Sequence, residues 1–159
     1  MDSDSNVERW LRDLGLNVSR PPQAKEHFHV LVTPPQGGPA FEVIRPTENQ
    51  KFYLVVMGIA IYQGHQDALK AMREDERKKF LNDLKYDLLK MGTDVILMPM
   101  GDQIPQVIQI VRVLLIEDIT PNDLVNCIYL VKNAGMLVIS KFSDTFGTPQ
   151  TKGNAIKYI

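Results

Sequence analysis

The side chains that could do chemistry are few and widely spaced in this chain. His27 and His29 stand two apart in "HFHVLV", the spacing that sends two strand side chains to one face and could offer two imidazoles to a metal. Two ligands do not make a site. The third histidine, His65, is remote in sequence, and completion would need carboxylates such as Glu26 or Glu42, so the pair reads as surface imidazoles and no metal is expected. The single cysteine, Cys127, falls in an apolar helical pattern with Leu124, Ile128 and Val131. Nothing nearby supplies the base or positive setting that a thiolate nucleophile needs, so it reads as a small buried hydrophobe. The glycines of "QGGP" precede no helix and no lysine, which makes them turn residues rather than a phosphate cradle. No HExxH, G-x-S-x-G, G-x-G-x-x-G or paired-cysteine pattern occurs, so neither catalytic residues nor a cofactor is expected, and binding is favoured over catalysis.

The whole-chain figures narrow the partners. At 159 residues the chain suits one domain able to bury a core without staples. A formal net charge of −1, from 18 basic and 19 acidic side chains, gives no global attraction to nucleic acid or anionic lipid. The run "REDERKK" could form a local basic patch through Arg73, Arg77, Lys78 and Lys79. Glu74 to Lys78 and Asp75 to Lys79 are, however, i,i+4 pairs in the favourable direction, which points to a self-paired solvated face. The opening "MDSDSNVERW" is acidic where a signal peptide would be basic and then apolar, and lone Cys127 suits a reducing compartment. A cytoplasmic protein with no membrane contact is expected. The most apolar stretches, 52–62 and 107–116, fall short of the roughly 18 residues that begin to suggest a span.

The elements follow from periodicity and punctuation. Ser5 and Glu8 form a capping box ahead of an apolar stripe that stops at Gly15, predicting a helix over 6–14. The prolines of 19–26 make a linker. Strands follow at 27–32, 40–45 and 51–62, joined by the turns "TPPQGGP" and "PTENQ". Leu69, Met72, Phe80, Leu84 and Leu88 recur at helical spacing and predict one long helix over 65–91, ended by Gly92. "DVILMPM" is a short or edge strand because of Pro99, and "QVIQIVRVLLIE" is a strand apolar on both faces. Thr120, Pro121 and Asp123 start a last helix that ends near Phe146–Gly147. The expected fold is a single α+β domain over 1–147: helix, three strands, long helix, two strands and helix around a mainly antiparallel five-stranded sheet. A polar tail, 148–159, follows, with an apolar end at Ile156, Tyr158 and Ile159.

That order resembles the type III secretion chaperone architecture. The segments "VERWLRDLGL" and "FYLVVMGIAIYQGHQDAL" are also similar to those of a small archaeal family of unknown function assigned to that architecture. The resemblance implies a homodimeric, partner-binding module with a protein client. The residues supply a candidate surface for it. Gly58 and Ala60 in the third strand suggest that helices approach that face closely, leaving Tyr53, Val55, Met57 and Ile59, with Val111 and Val113 of the neighbouring apolar strand, as a partner-binding face. If all helices share one side, the other face is an interface; otherwise the first helix, the linker and the tail cover it. Two alternatives stand beside the interaction module. One is a small ligand-binding domain or enzyme with a pocket between sheet and helices and His27, His29 and Glu42 near its mouth. The other is nucleic-acid binding through 65–91.

Overall fold

The computed structural model describes residues 2–101 and 104–149. It is an α+β fold in which four helices and a six-stranded antiparallel sheet form two layers. The chain runs α1 (Ser3–Asp13), β1 (Asn17–Ser19), β2 (Phe28–Thr33), β3 (Phe41–Arg45), β4 (Phe52–Ala60), α2 (Gln63–Ala71), α3 (Glu74–Lys90), β5 (Asp94–Met98), β6 (Val107–Leu115) and α4 (Pro121–Phe146). In space the strands lie in the order β1-β2-β3-β4-β6-β5. Residues 150–159, with Ile156, Tyr158 and Ile159, lie outside the described part, as do residues 102 and 103.

Local chemistry accounts for most element ends. Thr120 caps α4 by accepting from the Asp123 N–H, and Asp123 accepts from the Thr120 N–H in return, with Pro121 in the first turn. Gly15 and Gly92, just past α1 and α3, hold φ of +79° and +84°, a backbone region that side chains disfavour. The cap of α1 differs from expectation. Asp2, not Ser5, accepts from the Ser5 N–H at 2.7 Å, so the helix starts three residues earlier than the 6–14 reading. The predicted long helix is also two helices. Met72 and Arg73 adopt extended ψ values of 154° and 145°, and α3 restarts with Glu74, Asp75 and Glu76 in its first turn, where the helix dipole favours acids. The sixth strand, β1, is a three-residue piece paired to β2.

The register assigns every strand side chain to a face. Phe28, Val30, Val32, Val43, Tyr53, Val55, Met57, Ile59, Ile108 and Ile110 are buried on one side and join a single core with Val7, Leu11, Leu84, Leu88 and the stripe Leu124, Val131, Val138 and Phe142. The helices therefore cover the face that carries Tyr53, Val55, Met57 and Ile59. This reverses the expectation that Gly58 and Ala60 mark the helix-facing side. The glycine that admits the helix is in α4: a Cβ on Gly135 would stand 2.5 Å from Met57 Sδ and 3.5 Å from Ile59 Cδ1. A Cβ on Gly58 would meet only Val107 of β6, at an ordinary 3.6 Å.

α4 has the length and composition of a membrane-spanning helix. Its buried stripe nevertheless packs onto the sheet, as a core helix does. The two glycines give a direct test of the packing. Gly135→Val should lower stability by about 2 kcal/mol or more through overpacking against Met57, whereas Gly58→Ala should be neutral or slightly stabilising. Urea unfolding of both variants reads this difference, and equal effects would contradict the assignment of faces.

Candidate functional site

The opposite face of the sheet carries no helix among the described residues, and its side chains are set by the same register. Glu42 pairs with Val56, Ile44 with Leu54, Leu54 with Val113, Val56 with Val111, and Phe52 with Leu115. Ile96 and Met98 of β5 join them opposite Gln109 and Val107. Leu115 is 66% exposed, Val113 45% and Met98 44%. The centre of this open face is thus formed by β3, β4 and β6, with Ile44, Phe52, Leu54, Val111 and Val113 as neighbours. Its flanks are mixed: Ser19, His29 and Glu42 stand with Leu31 on one side, and Asp94 with Ile96 and Met98 on the other.

Of the six residues expected to form a partner surface, only Val111 and Val113 lie on this open face. Tyr53, Val55, Met57 and Ile59 are at most 2% exposed beneath the helices and cannot meet a partner in this state. Their place is taken by alternate residues of the same strand, Phe52 and Leu54, with Val56 beside them buried at 7% exposure. Apolar character on both faces was the signal that could have found them. Its two-residue period does not say which face the helices take.

The two histidines diverge. His27 precedes β2, and its Nε2 lies 3.1 Å from Asp4 on the helix side. His29 is within β2 on the open face, with Nδ1 3.0 Å from Glu26 Oε2 and Nε2 in contact with Glu42 Oε2. Both ring nitrogens face carboxylates, so the imidazolium can donate twice where the neutral ring can donate only once. Burial favours the neutral form of His29. The hydrogen bonds and charges of Glu26 and Glu42 outweigh it and raise the pKa above 6.5, and His29 in turn holds the Glu26 carboxyl below 4.5. Among the described residues no group of three or more potential ligands is arranged to hold a metal ion.

A second polar cluster lies under the helices. The Tyr53 hydroxyl donates to Asp4 Oδ1 at 2.6 Å, and Arg45 Nη1 reaches both Asp4 oxygens at 3.3 Å. Arg45 also donates to the carbonyls of Gln50 and Glu48, at 2.9 and 2.7 Å. Burial and the Asp4 carboxylate push the phenol well up, so Tyr53 stays a donor. Every member is engaged, and the cluster reads as a clasp between α1 and the sheet. Cys127 is buried, and burial pushes its thiol up to about 11, which leaves it protonated and unreactive at neutral pH. His65 is buried against Phe142 and Phe146, with Nε2 2.7 Å from the Gly147 carbonyl.

Charged side chains of α3 pair locally: Lys78 with Glu74 at 3.1 Å, as expected, and Lys79 with Asp83 at 2.7 Å rather than with Asp75. An apolar cavity of about 440 Å³ lies among the end of α1, the β2–β3 turn and α4. Neither histidine nor Glu42 lines it, which corrects their expected place at the mouth of a pocket.

The chain belongs to the family described as "Uncharacterized conserved protein (DUF2299)", whose model matches residues 3–142, from α1 to near the end of α4. It is also similar to the crystal structure of an uncharacterized protein from Methanothermobacter thermautotrophicus. That similarity has a TM-score of 0.81 over 91% of this chain and 99% of that one, at 20% sequence identity, and establishes a shared fold. No functionally curated protein matches the chain.

The His29 cluster carries a pH signature. A histidine with a raised folded pKa stabilises fully below its unfolded value and loses that contribution as pH rises through the folded one; the depressed Glu26 contributes above its unfolded value and loses it as pH falls. The cluster should therefore stabilise most between about pH 4.5 and 6.5. The melting-temperature gap between the wild type and His29→Gln should be widest there and shrink above it. A gap independent of pH would remove the charge-assisted bonds from the account.

Proposed function

We propose that this protein is a non-enzymatic interaction module that pairs with a second copy of itself through the open sheet face. The observation that carries the reading is the apolar centre of β3, β4 and β6, continued onto β5 by Ile96 and Met98 and left without a helix among the described residues. An exposed apolar patch of this kind, edged by His29 and Glu42 on the β2–β3 side, is the surface a protein interface presents. Strand spacing of about 4.8 Å and a rise of about 3.3 Å per residue give the β3, β4 and β6 part of this face an area on the order of 350 Å². That lies within the range of roughly 300–600 Å² for the largest apolar patch on a monomer, a patch that is often functional, and Ile96 and Met98 extend it onto β5.

A second copy fits better than an arbitrary partner. A twofold operation with its axis along the strands lays the same apolar centre on itself and carries the His29–Glu42 flank of one sheet toward the β5 side of the other, so that the two His29–Glu42 flanks do not meet. The resemblance to the type III secretion chaperone architecture supports the further step that the homodimer is chaperone-like and holds a protein client. The lone buried Cys127 suits a reducing, cytoplasmic setting. The local pairing of α3 charges speaks against nucleic acid as the partner.

Light scattering on a size-exclusion column across a dilution series tests the pairing, with circular dichroism as the fold control. The wild type should hold twice the mass of one chain into the low micromolar range. Val113→Glu, which adds a charge at a half-exposed position, should run as a folded monomer. A monomeric wild type, or a Val113→Glu variant that stays dimeric, would overturn the proposal.

A further inference from the structure

The cavity on the helix side has a chemistry of its own. Its walls are Leu14 and Leu16 after α1, Pro39 and Phe41 at the β2–β3 turn, and Ile128 and Met136 on α4, with buried Met57 as part of the floor. Three of the lining side chains, Leu14, Tyr129 and Met136, are large, apolar and 45–57% exposed, so the walls present greasy surface to an open mouth. A volume of about 440 Å³ falls within the usual range for small-molecule sites.

Against this background one charge stands out. Lys132 is the only lysine or arginine in the lining, and no carboxylate lines the cavity. Its ammonium lies over the Tyr129 ring, 5.5 Å from the centroid, which holds it beside the mouth. Its neighbours one turn away on α4 are Ile128, Tyr129, Gly135 and Met136, none of them acidic. Among the described residues Lys132 forms no ion pair, in contrast to Lys78, Lys79 and Lys141, each of which has a carboxylate.

We propose that this groove binds an amphipathic carboxylate, its hydrocarbon chain along Phe41, Met57 and Ile128 and its head group against Lys132. The chain removes the exposed surface of Leu14 and Met136 from water, and the carboxylate supplies the charge that Lys132 lacks. The head group remains near solvent, so neither ion has to be buried unpaired. This site lies across the sheet from the open face and does not depend on the dimer.

Isothermal titration calorimetry of the full chain at neutral pH with decanoate and decanol, below their aggregation limits, tests the assignment. Decanoate should bind more tightly than decanol, and each methylene removed from the acid should weaken binding by up to about fourfold. Lys132→Gln should abolish the preference for the acid while leaving decanol binding unchanged. Met136→Glu, at a half-exposed position that tolerates a polar side chain, should weaken decanoate at least tenfold and decanol less. Val113→Glu on the open face should leave both unchanged. Absence of decanoate binding, an acid preference that survives Lys132→Gln, or loss of binding in Val113→Glu would each overturn the site.

Discussion

The contact between α4 and the middle of β4 decides what the rest of the molecule can be. Gly135 has no side chain where Met57 Sδ would meet one, so a 26-residue helix can lie close on the sheet and bury Met57 and Ile59. Once α4 occupies that face, the other helices pack beside it: Phe80 of α3 rings against Phe142 and Phe146, His65 of α2 against the same pair, and α1 along β1 and β2. One layer of helices on one layer of sheet closes a single core. It also leaves the second apolar face of β4 and β6 without cover from any described helix.

The clasp around Asp4 holds the other end of that arrangement. Asp4 sits in the first turn of α1 and takes a proton donor from Tyr53 of β4 and a guanidinium from Arg45 of β3. A carboxylate this shielded is tolerable only because its oxygens are occupied, and the fork of Arg45 spends its remaining donors on two loop carbonyls. The cluster joins residues 41 and 49 positions apart. No local spacing in the chain announces it, which is why the sequence reading passed over Asp4 and Arg45.

What was legible from the sequence was local. Thr120-Pro121 with Asp123 named the start of α4, Gly92 the stop of α3, and Pro99 the edge position of β5, because each acts within a turn of itself. The break at Met72–Arg73 was missed because apolar periodicity runs through it in phase; the run of acids at Glu74, Asp75 and Glu76 was the available sign of a new helix start. β1 is too short to show a pattern and exists because β2 offers it an edge. The pair of histidines misled for a related reason: the strand begins at Phe28, so alternation does not extend to His27. The choice of face on β4 turned on a residue far along the chain. Gly58 suggested close approach, yet the small residue that matters belongs to the helix, where it faces large strand side chains.

Those large side chains are also what separates the two surfaces proposed for binding. On β4 successive residues point to opposite sides, so Met57 forms part of the groove floor while Val56 beside it pairs with Val111 on the open face. A ligand in the groove and a second chain on the sheet would touch the same strand from its two sides without sharing an atom. Their coupling would have to pass through the backbone of a strand bonded on both edges, to β3 and β6, and a centrally paired strand is the stiffest element such a fold offers. On the proposed reading that strand insulates the two occupancies, and self-pairing and ligand binding would be independent events.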